Sequence, residues 1–213
     1  MLANFLQSVL AQSHSDYEVV IKDGSVERPA IADWGIRALF EDLGPRLRYT
    51  ITMDNGIFHG ANQALQAATG DILYIGNDDD ELADAGVLSF VNERFEGKTG
   101  PHWIYGKGEL IGKDGQFIAP SHKKLTSLEE MKKHNCLFQP SVFWNRALLE
   151  RGGVFDERWL HASDYELWLR YWKVVEPVFV DRVLGRYRMW SEANSTRFSA
   201  AQAQEAHLIA QGA

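Results

Sequence analysis

Ile72-Leu73-Tyr74-Ile75-Gly76-Asn77-Asp78-Asp79-Asp80 is the stretch from which the architecture of this chain is read. A short apolar run bounded by Gly reads as a buried strand, and ligands of open α/β sheets gather just beyond the carboxyl ends of their strands. Three adjacent carboxylates repel one another, so holding them beside an apolar core is costly. Mg²⁺ or Mn²⁺ removes that cost by binding through one or two carboxylates plus phosphate oxygens. A solvated acidic turn explains the same residues. The rest of the sequence decides between the two.

Outward from this stretch, apolar runs and helical patterns alternate. Toward the N-terminus, Leu2, Phe5, Leu6, Val9 and Leu10 recur at helical spacing, which predicts an amphipathic helix. A strand follows at Tyr17–Ile21, closed by the turn Asp23-Gly24-Ser25, then a helix through Ile31, Trp34, Ala38 and Leu39. A second strand is expected at Arg48–Ile51, then the turn Asp54-Asn55-Gly56 and a helix through Ala61, Ala64, Leu65 and Ala68. Beyond the aspartates, Val87, Leu88, Val91 and Phe95 mark a further helix. This order predicts βαβ units and a mostly parallel sheet.

The second half reads differently. A strand is expected at His102–Tyr105, and Glu109–Ile111 with Gln116–Ile118 read as a hairpin around Lys113-Asp114-Gly115. Thr126-Ser127-Leu128-Glu129 and Ser163-Asp164-Tyr165-Glu166 both have the form of capping boxes opening helices. Val178–Val180 and the segment around Gly185–Arg188 read as extended, and the tail from Ser199 as a helix or a frayed end. With 213 residues and neither repeat nor linker, one domain over 1–213 is expected, with halves 1–100 and 101–213.

Composition removes several function classes. Apolar residues make up 45% and charged residues 24%, the balance of a globular protein. A net charge of −7 argues against a nucleic-acid surface. The single cysteine, Cys136, forms no disulfide framework, and its neighbours Leu137 and Phe138 suggest a core residue in a reducing compartment. No apolar run approaches the roughly 20 residues of a membrane span, and MLANFLQSVLAQ lacks a basic leader. No dinucleotide fingerprint, P-loop, zinc cluster or nucleophile elbow is present, and Gly106-Lys107-Gly108, in hairpin context, is a near miss.

The order of motifs resembles the family-2 glycosyltransferases of the GT-A fold. The matching pieces are Ser8-Val9-Leu10-Ala11-Gln12, Tyr17 to Ser25, Asp54-Asn55-Gly56-Ile57, Ala61 to Leu65, Ala68 to Ile72 and Asn77 to Leu82. They continue with Gln139 to Phe143, Gly152 to Glu157 and Ala162 to Arg170. The resemblance implies a Rossmann-like three-layer domain with a mixed, mostly parallel central sheet. It also implies sugar transfer from a nucleotide-sugar donor to a hydroxyl of a carbohydrate or lipid-linked acceptor, with inversion, in cell-surface polysaccharide or glycolipid synthesis. Mn²⁺ or Mg²⁺ is the implied cofactor, and the cytoplasm, with peripheral contact at the inner membrane face, the implied location.

Residue by residue, the resemblance places Asp23 on the donor's nucleobase and Asp54 and Gly56 in the loop approaching the donor. Asp78, Asp79 and Asp80 correspond to the diphosphate and metal motif, with Asp80 ranked first for metal contact and Asp79 shared between metal and ribose. Asp164 corresponds to the catalytic base; by chemistry alone it is equally a first-turn helix carboxylate. Trp144, Trp159, Trp168 and Trp172 are candidates for sugar stacking, most of them expected in the core.

The chain departs from the pattern in three places. Asn77 stands where the motif begins with Asp, and Trp190 stands where a His is frequent after Arg188. The chain starts at the helix after the family's first buried strand, so an N-terminally truncated sheet is expected; a late start, a fragment and a remnant remain open. A transferase and a weakly active or inactive nucleotide-sugar-binding remnant are therefore both carried forward. An unrelated nucleotidyltransferase would need a basic, Gly-rich N-terminal loop that is absent.

Overall fold

The computed structural model describes residues 1–121, 124, 127–133, 135–191 and 193–212. Helix α1 (Leu2–Leu10) buries Leu6 and Val9 as the apolar spacing predicts, and leads to strand β1 (Val19–Asp23). Helix α2 (Trp34–Leu43) is capped by Asp33, whose carboxylate accepts the Gly35 and Ile36 N–H groups. Its inward residues are Ile36, Phe40 and Leu43, whereas Trp34 is 84% exposed, so the expected Ile31–Trp34 face is displaced by about half a turn. Strand β2 (Leu47–Ile51) pairs in parallel with β1, from Val19 opposite Leu47 to Asp23 opposite Ile51. Helix α3 (Ile57–Ala67) follows Gly56, whose φ of +115° favours glycine.

The stretch that opened the sequence analysis forms strand β3 (Ile72–Leu73), shorter than expected, and then the acidic loop, strand β4 (Glu81–Leu82) and helix α4 (Val87–Phe95). Strand β5 (Trp103–Ile111) is one long strand that merges two expected ones, so Gly106-Lys107-Gly108 lies within it and not at a hairpin turn. The hairpin itself is present, with β6 (Phe117–Ser121) antiparallel to β5. Next come helix α5 (Leu128–Met131), strand β7 (Val142–Asn145) and helix α6 (Arg146–Gly152). The C-terminal part holds helix α7 (Ser163–Val174), strand β8 (Val178–Arg188) and helices α8 (Asn194–Arg197) and α9 (Ser199–Gly212).

Both capping boxes are corrected. Ser127 itself caps α5 by accepting the Glu130 N–H at 3.2 Å, while Thr126 lies outside the described residues. Ser163 is the first residue of α7 and its hydroxyl donates to the Asp156 carbonyl at 2.9 Å; the cap position is Ala162, which has no capping side chain. Glu166 turns along the helix to pair with Arg170.

Strands β3-β7-β5-β8-β4 form one sheet, with β6 added to β5, and β1-β2 form another. The larger sheet is mixed, as expected, but the expectation of mostly parallel pairing is corrected: among the described residues only β5 and β8 run parallel within it. Sheet alternation builds a core on each face. Trp103, Tyr105, Val142 and Trp144 point to one core, shared with Leu65, Leu148, Tyr165 and Trp168. Ile104 and Phe143 point to the other, shared with Leu6, Phe40, Val87 and Val91. Helices therefore cover both faces in three layers. Trp144 and Trp168 are buried and Trp159 and Trp172 pack partly against the same cluster, so the tryptophans belong mainly to the core. Among the described residues no helix is long and apolar enough to cross a membrane.

The two sheets meet at a cavity of about 1460 Å³ lined by Val19, Val20 and Ile21 of β1, by Ile72 and Leu73 of β3 and by Phe5 of α1. Glu18 bridges them at one end by accepting the Gly70 N–H at 2.8 Å and the Thr69 hydroxyl at 2.9 Å.

The close approach of β8 to the loop before β7 requires Gly185, where an added Cβ would sit 1.8 Å from the Pro140 carbonyl oxygen. Gly185→Ala is expected to cost about 1–3 kcal/mol through forced backbone shifts. Each kcal/mol lowers the melting temperature of a domain of this size by roughly 2–4 °C. An unchanged melting temperature would show that the contact is not tight.

Candidate active site

At the end of β1, Asp23 closes its own turn. Its Oδ1 accepts the Ser25 N–H at 2.8 Å, and its Oδ2 accepts the Ala30 N–H at 2.7 Å and the Tyr49 hydroxyl. Burial works to raise this carboxyl; the donated bonds from Tyr49, Ala30 and Ser25 outweigh burial and hold it below its ordinary value. The same contact and burial raise the Tyr49 hydroxyl. Asp23 is thus fully engaged with protein donors and does not line the large cavity.

Asp54, after β2, does line it. Its Oδ2 meets Lys22 Nζ at 3.1 Å, and its Oδ1 accepts the Gly56 N–H at 3.2 Å. Lys22 also donates to the Thr52 carbonyl, with only 4% of its side chain exposed, so one ammonium ties the ends of β1 and β2. Gly24 is needed here, since a Cβ would lie 2.4 Å from Asp54 Oδ2. Sequence reasoning missed Lys22, although it directly precedes the Asp23-Gly24-Ser25 turn.

The acidic loop separates its three carboxylates. Asp80 is fully buried; its Oδ2 accepts both the Asn77 backbone N–H and Asn77 Nδ2 at 3.1 Å, while Oδ1 has no hydrogen-bond partner. Burial first, and then the neighbouring Asp79 and Asp78 carboxylates, push the Asp80 carboxyl well up against the opposing Asn77 bonds. Asp79 Oδ2 accepts the Trp190 indole N–H at 3.0 Å, and its carbonyl accepts Arg188 Nε at 3.2 Å. Asp78 is exposed and lines the cavity; partial burial and then the Asp79 charge raise its carboxyl. The order of access therefore differs from the one expected, in which Asp80 ranked first for a metal. Asn77 is explained by the same geometry. It donates to Asp80 and, at 3.1 Å, to Gln139 Oε1, and an Asp could make neither side-chain bond.

Asp164, in the first turn of α7, lines the same cavity as Asp54, Gly56 and Asp78. Its Oδ1 is buried without a hydrogen-bond partner and Oδ2 lies 3.5 Å from Asn135 Nδ2. Burial pushes the carboxyl up to about 6, against the Tyr165 N–H and the Asn135 amide. That value suits a base near neutral pH. Loops from both halves are tied at this place by Asn62 of α3, which donates to the Phe155 carbonyl at 2.9 Å and accepts the Phe155 N–H at 3.0 Å. Asn135 carried no motif, Asn62 lay within the Ala61–Leu65 piece and Trp190 was noted only for standing where a His is frequent; none was anticipated as a partner.

The residues fit a hard cation held by few protein ligands. Asp78 opens on the cavity, Asp79 adjoins it, and Asp80 keeps one orphaned buried oxygen. Among the described residues no group of three or more His, Cys, Asp or Glu side chains could enclose an ion, so the protein would supply one or two carboxylates and phosphate oxygens the rest.

The profile of Glycosyl transferase family 2 matches residues 1–144. This chain belongs to that family. It is 27% identical over 180 residues to a PGL/p-HBAD biosynthesis glycosyltransferase of Mycobacterium bovis, covering 84% of this chain and 66% of that protein. It is 25% identical over 208 residues to an uncharacterized glycosyltransferase of Rickettsia bellii, covering 92% of this chain and 29% of that one. Family membership thus applies to a chain that spans between about a third and two-thirds of these relatives. In three dimensions it is similar to residues 1–349 of Staphylococcus aureus TarS in complex with UDP (TM-score 0.67, 16% identity, 98% of this chain and 60% of that one). It is also similar to a mannosyltransferase of Pyrobaculum calidifontis in complex with GDP-Man and Mn²⁺ (TM-score 0.64, 19% identity, 95% and 56%). These structures are GT-A glycosyltransferases, and the α/β fold with its mixed sheet agrees with theirs.

Within this family member, replacing Asn77 by Asp removes two donors and sets a new charge against buried Asp80. In EDTA, Asn77→Asp is therefore expected to lower the melting temperature further than Asn77→Ala, by about 1–3 kcal/mol of additional destabilisation. Equal losses in the two variants would mean that charge crowding does not govern the loop.

Proposed function

We propose that this chain transfers a sugar from a nucleoside-diphosphate sugar to an acceptor hydroxyl with inversion at the anomeric carbon. The observation that carries the reading is the placement of Asp164 and the acidic loop on one cavity in a family-2 glycosyltransferase chain. Asp54, Gly56 and Asp78 line the donor side, with Lys22 supporting Asp54. Asp78 and Asp79 would hold Mn²⁺ or Mg²⁺, which would supply Lewis-acid stabilisation for the charge on the leaving diphosphate. Asp164, ionised above about pH 6, takes the proton of the acceptor hydroxyl on the opposite face of the sugar. The anomeric carbon is oxocarbenium-like at that moment, as in glycoside hydrolysis. The solved neighbours, in complexes with UDP-GlcNAc and with GDP-Man, support a nucleotide-sugar donor for this chain. A carbohydrate or lipid-linked acceptor in cell-surface polysaccharide or glycolipid synthesis, handled in the cytoplasm or at the inner membrane face, completes the reading.

A second reading is a binding protein with little turnover, favoured by the separation of the β1-β2 sheet from the larger one and by the saturated Asp23. Asp164 separates the two. Asp164→Asn is expected to lower turnover by roughly 100-fold or more while donor affinity stays unchanged. The wild-type pH profile should rise through about 6. The stability sign is the reverse. A carboxyl raised from 3.8 to about 6 contributes stability below pH 3.8 that is lost as pH rises through 6, so Asp164→Asn should be no less stable than wild type at pH 7. A binding protein would instead show intact nucleotide affinity and no turnover to lose.

Metal and nucleotide are expected to bind together. In a thermal-shift measurement UDP or GDP should stabilise the protein in Mn²⁺ and much less in EDTA, and Asp79→Ala should remove the difference. Equal shifts with and without metal would end the metal-dependent reading.

A further inference from the structure

We infer that Glu205, on the last helix, is a positioning residue for the Asp164 carboxylate and acts through the backbone of residues 160–162; the inference rests on the reading of Asp164 as the base. The Asp164 side chain is held loosely by its neighbours. One oxygen has no hydrogen-bond partner, the Asn135 amide lies 3.5 Å from the other, beyond a firm hydrogen bond, and the remaining interaction comes from the Tyr165 N–H of the same helix turn. Its place therefore depends on the backbone at the start of α7.

That backbone lacks a local cap, because the cap position is Ala162 and the Ser163 hydroxyl is turned to Asp156. The amides of residues 160–162, which lead into the helix, need acceptors where they are not solvated. Glu205 supplies them from 43 residues away along the chain. Its Oε1 accepts the Leu160 N–H at 3.1 Å, and its Oε2 accepts the His161 N–H at 2.8 Å and the Ala162 N–H at 3.0 Å. Gln202, one turn earlier on α9, donates to the His161 carbonyl at 3.0 Å. A carboxylate is also the right charge beside a helix N-terminus. One face of α9 thus grips both sides of His161, three residues before Asp164, and Leu160, His161 and Gln202 share the cavity with Asp164.

Helix α9 is docked by little else. Ile209 is its buried apolar residue, with Ala206 and Ala210 partly packed. It also lies beyond residues 1–144, the stretch that carries the family match. The base of the reaction is accordingly set by polar ties from this helix. A misplacement of about 1 Å at such a group is enough to lower a rate by roughly 100-fold.

The test is the titration of the Asp164 carboxyl by carbon NMR in the full 213-residue chain, with Asp23 as internal control. Wild type should titrate near 6. In Glu205→Ala the freed turn admits water and the midpoint should fall by about one unit or more toward the ordinary carboxylate value, with Asp23 unmoved. Glu205→Gln keeps one acceptor oxygen and should give a smaller shift. Gln202→Ala, which keeps the carboxylate, carries the test if Glu205→Ala does not fold. An Asp164 titration identical to wild type in the folded variants overturns the inference. Equal shifts in Glu205→Ala and Glu205→Gln also overturn it, because charge alone would then explain them. Failure of the base reading looks different: Asp164→Asn would leave UDP release from UDP-N-acetylglucosamine in Mn²⁺ unchanged while Glu205→Ala still moved the Asp164 midpoint.

Discussion

Arg188 is the constraint on which the site depends. Its guanidinium, with no exposure to solvent, meets Glu81 and donates to the Asp79 carbonyl at 3.2 Å, to Gly112 at 2.9 Å and to Lys113 at 3.0 Å. These partners come from the acidic loop, from β4 and from the turn between β5 and β6, so one side chain at the end of β8 joins three segments. Removing a charge of this kind strands its partners and typically costs about 3–5 kcal/mol, although a buried pair adds little beyond an apolar replacement of both. Its value here is geometric. Trp190, two residues on, uses the same strand end to donate to Asp79, so β8 fixes both the backbone and one carboxylate of the loop.

The loop then handles its charge without needing all three aspartates to face outward. Asp80 is folded under the loop against Asn77, Asp79 is bonded to an indole, and Asp78 is left open to the cavity. The repulsion inferred from three adjacent carboxylates is real, but the protein relieves part of it through burial and donated hydrogen bonds. On the proposed reading a cation would act with the diphosphate, with Asp78 and Asp79 as its ligands.

Much of the fold was legible because it is periodic. The apolar face of α1, the strands β1 and β2 and the start of β5 all follow from 3.6- and 2-residue spacing, whereas β7 was not anticipated as a strand. Errors arose where local patterns compete. Trp34 fits the helical spacing, but Ile36, Phe40 and Leu43 bury instead, and a solvated Trp is the cost. Ser163 has the form of a cap, yet a bond to Asp156 uses its hydroxyl. Alternation of elements predicts a mostly parallel sheet, whereas β7 returns antiparallel between β3 and β5. Of the candidate site, the carboxylates were legible and their partners were not. Lys22, Asn135 and Trp190 act across the fold, at separations that no window of sequence spans, and Asn77 joins a bond to Asp80 three residues on with one to Gln139 62 residues away.

Those long-range partners explain how one cavity can serve two chemistries. On the proposed reading its donor side is built by strand ends and loops of the first half, where Lys22 and Arg188 hold acidic groups beyond the carboxyl ends of β2 and β3. Its acceptor side would be the approach to α7, pinned to α3 through Asn62 and to α9 through Glu205. The polar ties are directional, so they set positions to within a hydrogen bond's tolerance, which apolar packing alone does less sharply. Burial then differs between the two sides in the sense each needs: Asp78 opens to a ligand, while Asp164 is desolvated enough to hold a proton near neutrality. A fold that kept its cores but lost these ties would retain its layers and lose the register between the carboxylates.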